Sequence, residues 1–407
     1  MAKKTNVVTG KGKSIFDIVK SCDSNAEVLS ESKHAVIPDY INTGSYILNA
    51  AITGSVFKGV PASRVVTLSG DPGTGKTYLA ISVCREAQKK GYTVIYMDSE
   101  GSIDIEFVER LGCDTSNFII KQVTTITEVS SFMANILKDV NAMPDDEKPK
   151  VVFVLDSLGN LTSAKELTDT IDANQKRDMT KQQEIKALFR TNATALARAG
   201  AVFIVNSHIY KTQDLFAKTI VSGGSGINYN SSVTLLLSTA KLDDKESDKI
   251  AQTKTGEFIK TGVVVTAKTE KSRFTIPQKV KFQIPFFKAP NPYVGLESYI
   301  TWENSGILRG ELLTEKEYSK LSEGDKKVCY EMTDKDGNIC YARHKDTSKK
   351  IVVKHLGEAV PITELFTSKV ITDDILRNLD ETVIRPLFEL PSFDSNADID
   401  ELVDIDE

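Results

Sequence analysis

The feature that most constrains this chain is a short glycine-rich segment that begins at residue 70. It matches the G-x-x-x-x-G-K-[ST] phosphate-loop pattern and consists of Gly70, Asp71, Pro72, Gly73, Thr74, Gly75, Lys76 and Thr77. An apolar run at 64–69 predicts a buried strand before it, and 78–90 predicts a helix after it. Glycines let backbone N–H groups turn toward phosphate oxygens, and the helix N-terminus adds positive charge there. The pattern predicts a nucleotide-binding loop. The alternative is a glycine-rich turn next to a lysine that does not bind phosphate.

Composition limits the class of protein further. The chain has 407 residues, 40% hydrophobic and 26% charged, which is ordinary for a soluble protein of two or three domains. The net charge of −5 means that any nucleic-acid binding must come from a local basic patch. Five scattered cysteines suit a reducing cytoplasm rather than a disulfide framework. We expect no membrane span and no signal peptide, because no apolar run is long enough.

Two cysteines and two histidines in the C-terminal region allow two interpretations. Cys329, Cys340, His344 and His355 could be zinc ligands, but their spacing matches no short ligand knuckle. The Asp-Gly-Asn sequence at 336–338, between the cysteines, is typical of a hairpin turn. We favour the hairpin.

Changes in pattern divide the chain into four segments. Residues 1–35 start lysine-rich and contain an amphipathic stretch, which is either a frayed terminus or an arm that docks on a neighbouring subunit. Residues 36–290 alternate strands and helices, which predicts an α/β core with a mostly parallel sheet. Residues 291–391 predict a small α+β domain. The tail at 392–407 has seven acidic residues and no basic ones, which predicts disorder.

The core strands predicted after the phosphate loop are 93–98, 151–156, 201–207, 233–238, 262–267 and 279–286, the last of them forming an antiparallel edge.

Two of these strands end in carboxylates suited to nucleotide chemistry. Asp156 ends an apolar strand, which is typical of the Walker B carboxylate that holds Mg²⁺ together with Thr77. Glu100 follows the strand at 93–98, where its carboxylate could orient and polarise an attacking water. The alternative for Glu100 is that it and Asp98 only begin a turn.

A third strand is followed by His208, which is expected near the γ-phosphate; the alternative is a histidine with a structural role only. The next segment, 209–226, contains lysines and a glycine cluster and predicts a mobile loop. A side chain at this position could report the state of the phosphate to that loop.

The order of these motifs resembles that of the RecA-type recombinases. The matching segments are 42–45, 70–77, 97–100, 110–114, 155–161, 206–208 and 223–226. The sequences at 156–161, 179–180, 188–190 and 208–213 look most like the UvsX-type recombinases of T-even-like phages. The resemblance covers residues 36–290 and is weak on either side.

The resemblance implies roles for particular residues. Glu100 matches the family's catalytic glutamate, and His208 falls on its γ-phosphate sensor. Lys271 and Arg273 resemble a basic pair that reaches the ATP of the adjacent subunit. The nucleotide contacts would be 70–77 together with Tyr78 and with Asp104 and Phe107, which fall where the family contacts adenine.

The resemblance also implies two DNA-binding loops, at 167–178 and 209–224. The expected DNA contacts in or near them are Lys176, Arg177, Met179, Lys181, Arg190, Lys211, Lys218, Gly223 and Gly224. The alternative for the basic residues among them is solvated surface charge.

By this resemblance the protein would be a DNA-dependent ATPase that uses ATP and Mg²⁺. It would form helical homo-oligomeric filaments on single-stranded DNA, pair them with double-stranded DNA and exchange strands in the host cytoplasm. Single-strand-binding and mediator proteins would be further partners. The alternatives are a hexameric DNA helicase on the same core, a DNA-coating filament that does not hydrolyse ATP, and a regulatory ATPase without DNA.

Overall fold

The computed structural model describes residues 14–23, 26–30, 32, 35–171, 180–211, 219–221, 224–239, 250–252, 258–260, 262–286 and 290–390. The helices are α1 Ile15–Cys22, α2 Tyr46–Thr53, α3 Lys76–Gln88, α4 Ile105–Arg110, α5 Ile126–Ala142, α6 Ala164–Ile171, α7 Lys181–Arg198, α8 Gly224–Asn230, α9 Trp302–Ser305, α10 Glu315–Tyr318, α11 Glu323–Lys326, α12 Asp373–Leu379 and α13 Arg385–Phe388.

The strands are β1 Tyr40–Ile41, β2 Val60–Pro61, β3 Val65–Gly70, β4 Thr93–Asp98, β5 Phe118–Gln122, β6 Val151–Asp156, β7 Val202–Ser207, β8 Ile209–Lys211, β9 Thr219–Val221, β10 Val233–Thr239, β11 Ile250–Gln252, β12 Phe258–Lys260, β13 Gly262–Ser272, β14 Lys279–Pro285, β15 Ile307–Thr314, β16 Cys329–Thr333, β17 Ile339–His344, β18 Lys350–Val353 and β19 Glu358–Pro361.

The large sheet has eight strands in the order β14-β13-β10-β3-β7-β6-β4-β5. The six strands from β10 to β5 run parallel, whereas β13 and β14 form an antiparallel edge. The α/β class with a mostly parallel sheet is therefore confirmed, as is the antiparallel edge. Because β3 lies inside the sheet between β10 and β7, the phosphate loop leaves from within its carboxyl edge.

The alternation of side chains along the strands divides the core into two layers. Val152 and Val154 face the layer that contains α3, whereas Phe153 and Leu155 face α5 and α7. Helices cover both faces, so these strands are apolar throughout instead of alternating with polar residues. This explains why the continuous apolar runs predicted them well.

A second, antiparallel sheet of five strands has the order β16-β17-β15-β18-β19. The predicted hairpin is confirmed, because β16 pairs with β17 and Asp334 N donates to Asn338 O (2.9 Å) across the turn. Cys340 is buried in the core of this sheet, while the Cys329 thiol donates to a backbone carbonyl. Within the ranges given above, no group of three or more His, Cys, Asp or Glu side chains could hold a metal ion.

Two expectations about helices and loops are wrong in detail. Helix α3 begins at Lys76 rather than at residue 78, because Gly75 takes the left-handed N-cap conformation and the helix starts directly after it. The segment 209–226, expected as a loop, contains the paired strands β8 and β9 and the first residues of α8. Tyr210 of β8 is exposed, whereas Lys211 and the residues of β9 are described by their backbone alone.

Two strands were also misjudged. Strand β13 extends to Ser272, five residues past the expected end, because polar side chains such as Lys268 alternate with buried ones such as Thr269. Strand β5 was not anticipated. Its Ile119 and Ile120 are both about half-exposed, so the sequence shows neither alternation nor a buried run.

The N-terminal helix α1 begins with a capping box between Ser14 and Asp17. Its apolar residues Ile15, Phe16 and Val19 are exposed. Its docking on a neighbouring subunit stays a prediction, as does the division into four segments; the acidic tail lies outside the described residues. In the described part of the chain, we find no helix with the length and apolarity needed to cross a membrane.

A buried carboxylate joins the C-terminal segment to the core. Asp380 is fully buried at the start of a π-helical turn and accepts hydrogen bonds from Val56 N (2.7 Å), Ser55 Oγ (2.9 Å) and Arg385 Nε (2.9 Å). Two of these donors belong to the connection that follows α2. The carboxylate thus connects residues more than 320 positions apart in sequence.

We expect Asp380→Ala to lower the melting temperature measured by circular dichroism. Two core donors would lose their acceptor, and each stranded buried donor costs about 1–3 kcal/mol. Asp374→Ala is the matched control, because its side chain is 96% exposed one helix earlier. Equal melting temperatures for the two variants would show that the buried carboxylate does not stabilise the fold.

Candidate active site

The phosphate loop has the backbone conformation that its glycines allow. Gly73 and Gly75 have φ of +77° and +87°, in the left-handed region. A Cβ on Gly75 would lie 2.2 Å from Cδ1 of the buried Ile284. The left-handed backbone therefore favours glycine at this position, and a Cβ there would also require the Ile284 side chain to shift.

The Lys76 ammonium lies inside the loop. It is buried, and its Nζ donates to Gly70 O (2.9 Å) and Asp71 O (3.0 Å). Burial lowers the pKa of Lys76, and nearby carboxylates, that of Asp156 first, oppose the shift. The result is a cation held at a helix N-terminus among backbone groups, which is an arrangement suited to phosphate.

The carboxylate of Asp156 connects three elements of the site. Its Oδ2 accepts from Thr77 Oγ1 and from Tyr96 OH, each at 2.6 Å. Tyr96 is fully buried on β4, and burial raises its pKa, so the phenol keeps its proton and acts as a donor. The structure brings together Thr77 and Asp156, whose oxygens suit Mg²⁺; that the two residues hold the metal stays a prediction.

The carboxylate of Glu100 lies at the same sheet edge. Its Oε1 accepts from Ser157 Oγ (2.7 Å) and contacts His208 Nε2 (3.1 Å). The turn that carries it is organised by buried Asp98, whose Oδ1 accepts from Glu100 N and Gly101 N (2.9 Å each). Side chains that follow β4, β6 and β7 thus meet at one oxygen.

Sequence reasoning gave no role to Ser157 or to Tyr96. The signal for Tyr96 was its strand position, two residues before Asp98 and therefore on the same face. Ser157 had only its place directly after Asp156 as a signal. Asp98 was considered only as the start of a turn, whereas its carboxylate organises that turn.

The residues expected at adenine are placed on the helix after Glu100. Asp104 is the N-cap of α4, and its side chain accepts from the backbone N–H groups of Glu106 and Phe107. Phe107 is half-buried against the core, as is Tyr78 at the start of α3. Adenine contact by these residues stays a prediction.

The basic pair near the end of β13 lies away from the phosphate loop of its own chain. Lys271 Nζ donates to Tyr229 O (3.1 Å), and burial and then the Arg273 charge lower the pKa of Lys271. Arg273 is exposed and lies near Arg64, which precedes β3. Because β13 runs antiparallel to β10, the end of β13 reaches the amino edge of the sheet, whereas the phosphate loop leaves the carboxyl edge.

The expected DNA contacts are only partly within the described chain. Lys181 starts α7, with its Nζ near Gly159 O (3.5 Å) and Glu166 (3.9 Å), and Arg190 is exposed on the same helix. The first expected DNA loop begins inside α6, because residues 167–171 are helical. Lys211 and Gly224 are described by their backbone in β8 and α8; Lys176, Arg177, Met179, Lys218 and Gly223 lie outside the described residues.

The fold and this site define a P-loop nucleotide-binding protein of the α/β class. The RecA N-terminal domain family matches residues 14–282, two thirds of the chain, so the protein belongs to the RecA family.

Among the relatives, the recombination and repair protein of Enterobacteria phage T4 is 26% identical over 272 residues, 66% of this chain and 65% of that protein. The plasmid RecA protein of Lactococcus lactis subsp. lactis is 27% identical over 281 residues, 68% of this chain and 73% of that protein. The RecA protein of Wolbachia sp. subsp. Brugia malayi is 28% identical over 219 residues, 53% of this chain and 58% of that protein. The chain thus spans less than two thirds of the phage T4 and Wolbachia proteins.

We expect Gly75→Ala to weaken nucleoside triphosphate binding about ten-fold or more. A non-glycine residue in the left-handed region costs about 1–2 kcal/mol, and the new methyl group would press on Ile284. The measurement is titration with a fluorescent ATP analogue. Gly91→Ala is the control, since it has a similar φ (+80°) with no atom within 4 Å of the new Cβ. Equal affinities for the two variants would contradict the role of the loop.

Proposed function

We propose that this protein is an ATP-dependent recombinase that polymerises on single-stranded DNA and exchanges strands with a homologous duplex. The observation that carries the proposal is the contact between Glu100 Oε1 and His208 Nε2 (3.1 Å). It joins the carboxylate that would act in hydrolysis to the residue before the 209–224 segment, which is expected to bind DNA. Membership of the RecA family supports the proposal, as does similarity to a phage protein of recombination and repair.

The residues present fit ATP and Mg²⁺. The backbone of the phosphate loop and Lys76 would hold the β- and γ-phosphates, and Thr77 and Asp156 would hold the metal. When bound, Mg²⁺ neutralises charge on the phosphate oxygens. The oxygen-rich donor set at Thr77 and Asp156 suits a hard cation of this kind.

Hydrolysis would depend on Glu100. Its Oε1 already accepts from Ser157 and contacts His208, so its other oxygen would take the proton from the attacking water. Lys76 would stabilise negative charge on the transferred phosphoryl group. Loss of the γ-phosphate would change the surroundings of His208 and so the segment that follows it.

DNA would be bound through its phosphates by lysine and arginine side chains without sequence preference, so that base pairing supplies sequence recognition. ATP between subunits would stabilise the filament, because a ligand stabilises the state that binds it. Single-strand-binding and mediator proteins stay predicted partners.

The direct test is ATP turnover with and without single-stranded DNA, combined with electron microscopy. The proposal expects DNA-stimulated hydrolysis and open helical filaments. Closed rings would favour the hexameric helicase, and filaments without turnover would favour a DNA-coating protein. An ATP hydrolysis rate that is the same with and without DNA would favour a regulatory ATPase.

We expect Glu100→Gln to keep ATP binding but to slow hydrolysis by about 10²–10⁴, because the amide cannot take a proton from water. Its filaments should persist longer. The measurement is single-turnover hydrolysis on single-stranded DNA. Glu147→Gln, at an exposed site before β6, is the control. A hydrolysis rate equal to that of the control would refute the role of Glu100.

The family resemblance implies that Lys271 and Arg273 act on a neighbouring subunit, and their position at the amino edge, away from the phosphate loop of their own chain, supports this. Lys271→Ala/Arg273→Ala protein and Lys76→Ala protein should each be inactive alone. Mixed filaments should regain part of the ATPase activity, because some interfaces would pair an intact phosphate loop with an intact basic pair. If co-assembled filaments stay inactive, the pair does not act across the interface.

A further inference from the structure

Ser157 has a buried hydroxyl next to the carboxylate that would act in hydrolysis. The residue is fully buried (0% exposed) directly after β6. Its Oγ donates to Glu100 Oε1 at 2.7 Å, which is shorter than the 3.1 Å contact of His208 with the same oxygen. A buried hydroxyl without a partner would be costly, so this donor is committed to the Glu100 carboxylate.

The backbone around Ser157 is fixed relative to the turn that carries Glu100. Ser157 N donates to Ser99 Oγ (2.9 Å), and Ser99 Oγ donates to Ser157 O (2.8 Å). Ser99 N also donates to Asp156 O (2.8 Å). These bonds join the carboxyl ends of β4 and β6, so the distance between the Ser157 hydroxyl and the Glu100 side chain is set by the sheet itself.

A glutamate side chain has several rotatable bonds, and a general base must meet its water in one geometry. Asp98 orders only the backbone of this turn. The contact of His208 belongs to a side chain that remains about one quarter exposed. Ser157 is therefore the buried donor that can fix the carboxylate itself.

We propose that Ser157 is a positioning residue for Glu100. Its hydroxyl holds Oε1 and thereby presents the other carboxylate oxygen to the attacking water. Ser157 acts through the carboxylate rather than on the nucleotide. The inference rests on the proposed function, because it requires Glu100 to act in hydrolysis.

The test compares Ser157→Ala with the unaltered protein in single-turnover ATP hydrolysis on single-stranded DNA. The hydrolysis rate constant should fall about ten-fold or more, as expected for loss of a hydrogen bond to a charged group. Affinity for a fluorescent ATP analogue should stay within about two-fold, because Ser157 lies outside the phosphate loop and its hydroxyl is bonded to Glu100. Ser82→Ala is the control, since Ser82 is equally buried and its hydroxyl has no hydrogen-bond partner among the described residues.

The decisive arm repeats the substitution in the Glu100→Gln background. If Ser157 acts through the carboxylate, adding Ser157→Ala to Glu100→Gln should lower the hydrolysis rate constant almost no further. An equal loss in both backgrounds would overturn the proposal, as would a Ser157→Ala rate equal to that of Ser82→Ala. If the Ser157→Ala protein has a melting temperature well below that of Ser82→Ala, Ser157→Cys replaces it in the test. The cysteine thiol is only a weak donor, and the same criteria apply.

Failure of the wider proposal has a different signature. If the unaltered protein shows no DNA-stimulated hydrolysis, the proposed function fails. If it hydrolyses ATP, and Glu100→Gln is slow while Ser157→Ala is normal, only the role of Ser157 fails.

Discussion

The geometry of the site depends on the hydrogen bonds that converge on one buried carboxylate oxygen. Asp156 Oδ2 accepts from Thr77 on α3 and from Tyr96 on β4, each at 2.6 Å. Both donors approach only if α3 packs on the correct face and β4 lies next to β6 in register. A shift of one residue would turn Tyr96 to the other face and leave a buried phenol without an acceptor. The same pairing thus sets the strand register and the relative position of Thr77 and Asp156, the residues expected to hold Mg²⁺.

Glu100 Oε1 is a second point of convergence, with a different consequence. One of its contacts, His208, directly precedes β8, and the other, Ser157, precedes the connection that leads to α6. The two segments expected to bind DNA begin beyond these residues. A displacement of either segment at its base would therefore act on the same carboxylate oxygen. The proposed coupling between DNA binding and ATP hydrolysis would therefore act through two contacts of Glu100, one with His208 and one with Ser157.

The sequence predicted the strands that are buried on both faces, because their apolar runs end abruptly in polar residues such as Asp98 and Asp156. The phosphate loop was predicted from glycine spacing, since the left-handed backbone at Gly75 leaves little choice of residue. Strand β5 could not be predicted, because an edge strand with exposed isoleucines has no distinctive pattern. The bonds of Tyr96 and Ser157 depend on which strands are neighbours, and strand order is a property of the folded sheet rather than of any local sequence.

Sheet topology also separates the two sets of cations that the family resemblance assigns to one nucleotide. Lys76 lies at the carboxyl edge of the sheet, among the carbonyls of the phosphate loop. Arg273 lies at the amino edge near Arg64, because β13 reverses direction beside β10. Within a rigid sheet, loop motion cannot bring these edges together. If both sets act on one triphosphate, they must come from different subunits, and hydrolysis then requires assembly. The exposed apolar residues of α1 are consistent with a chain that assembles, since helices with such a face normally cover it.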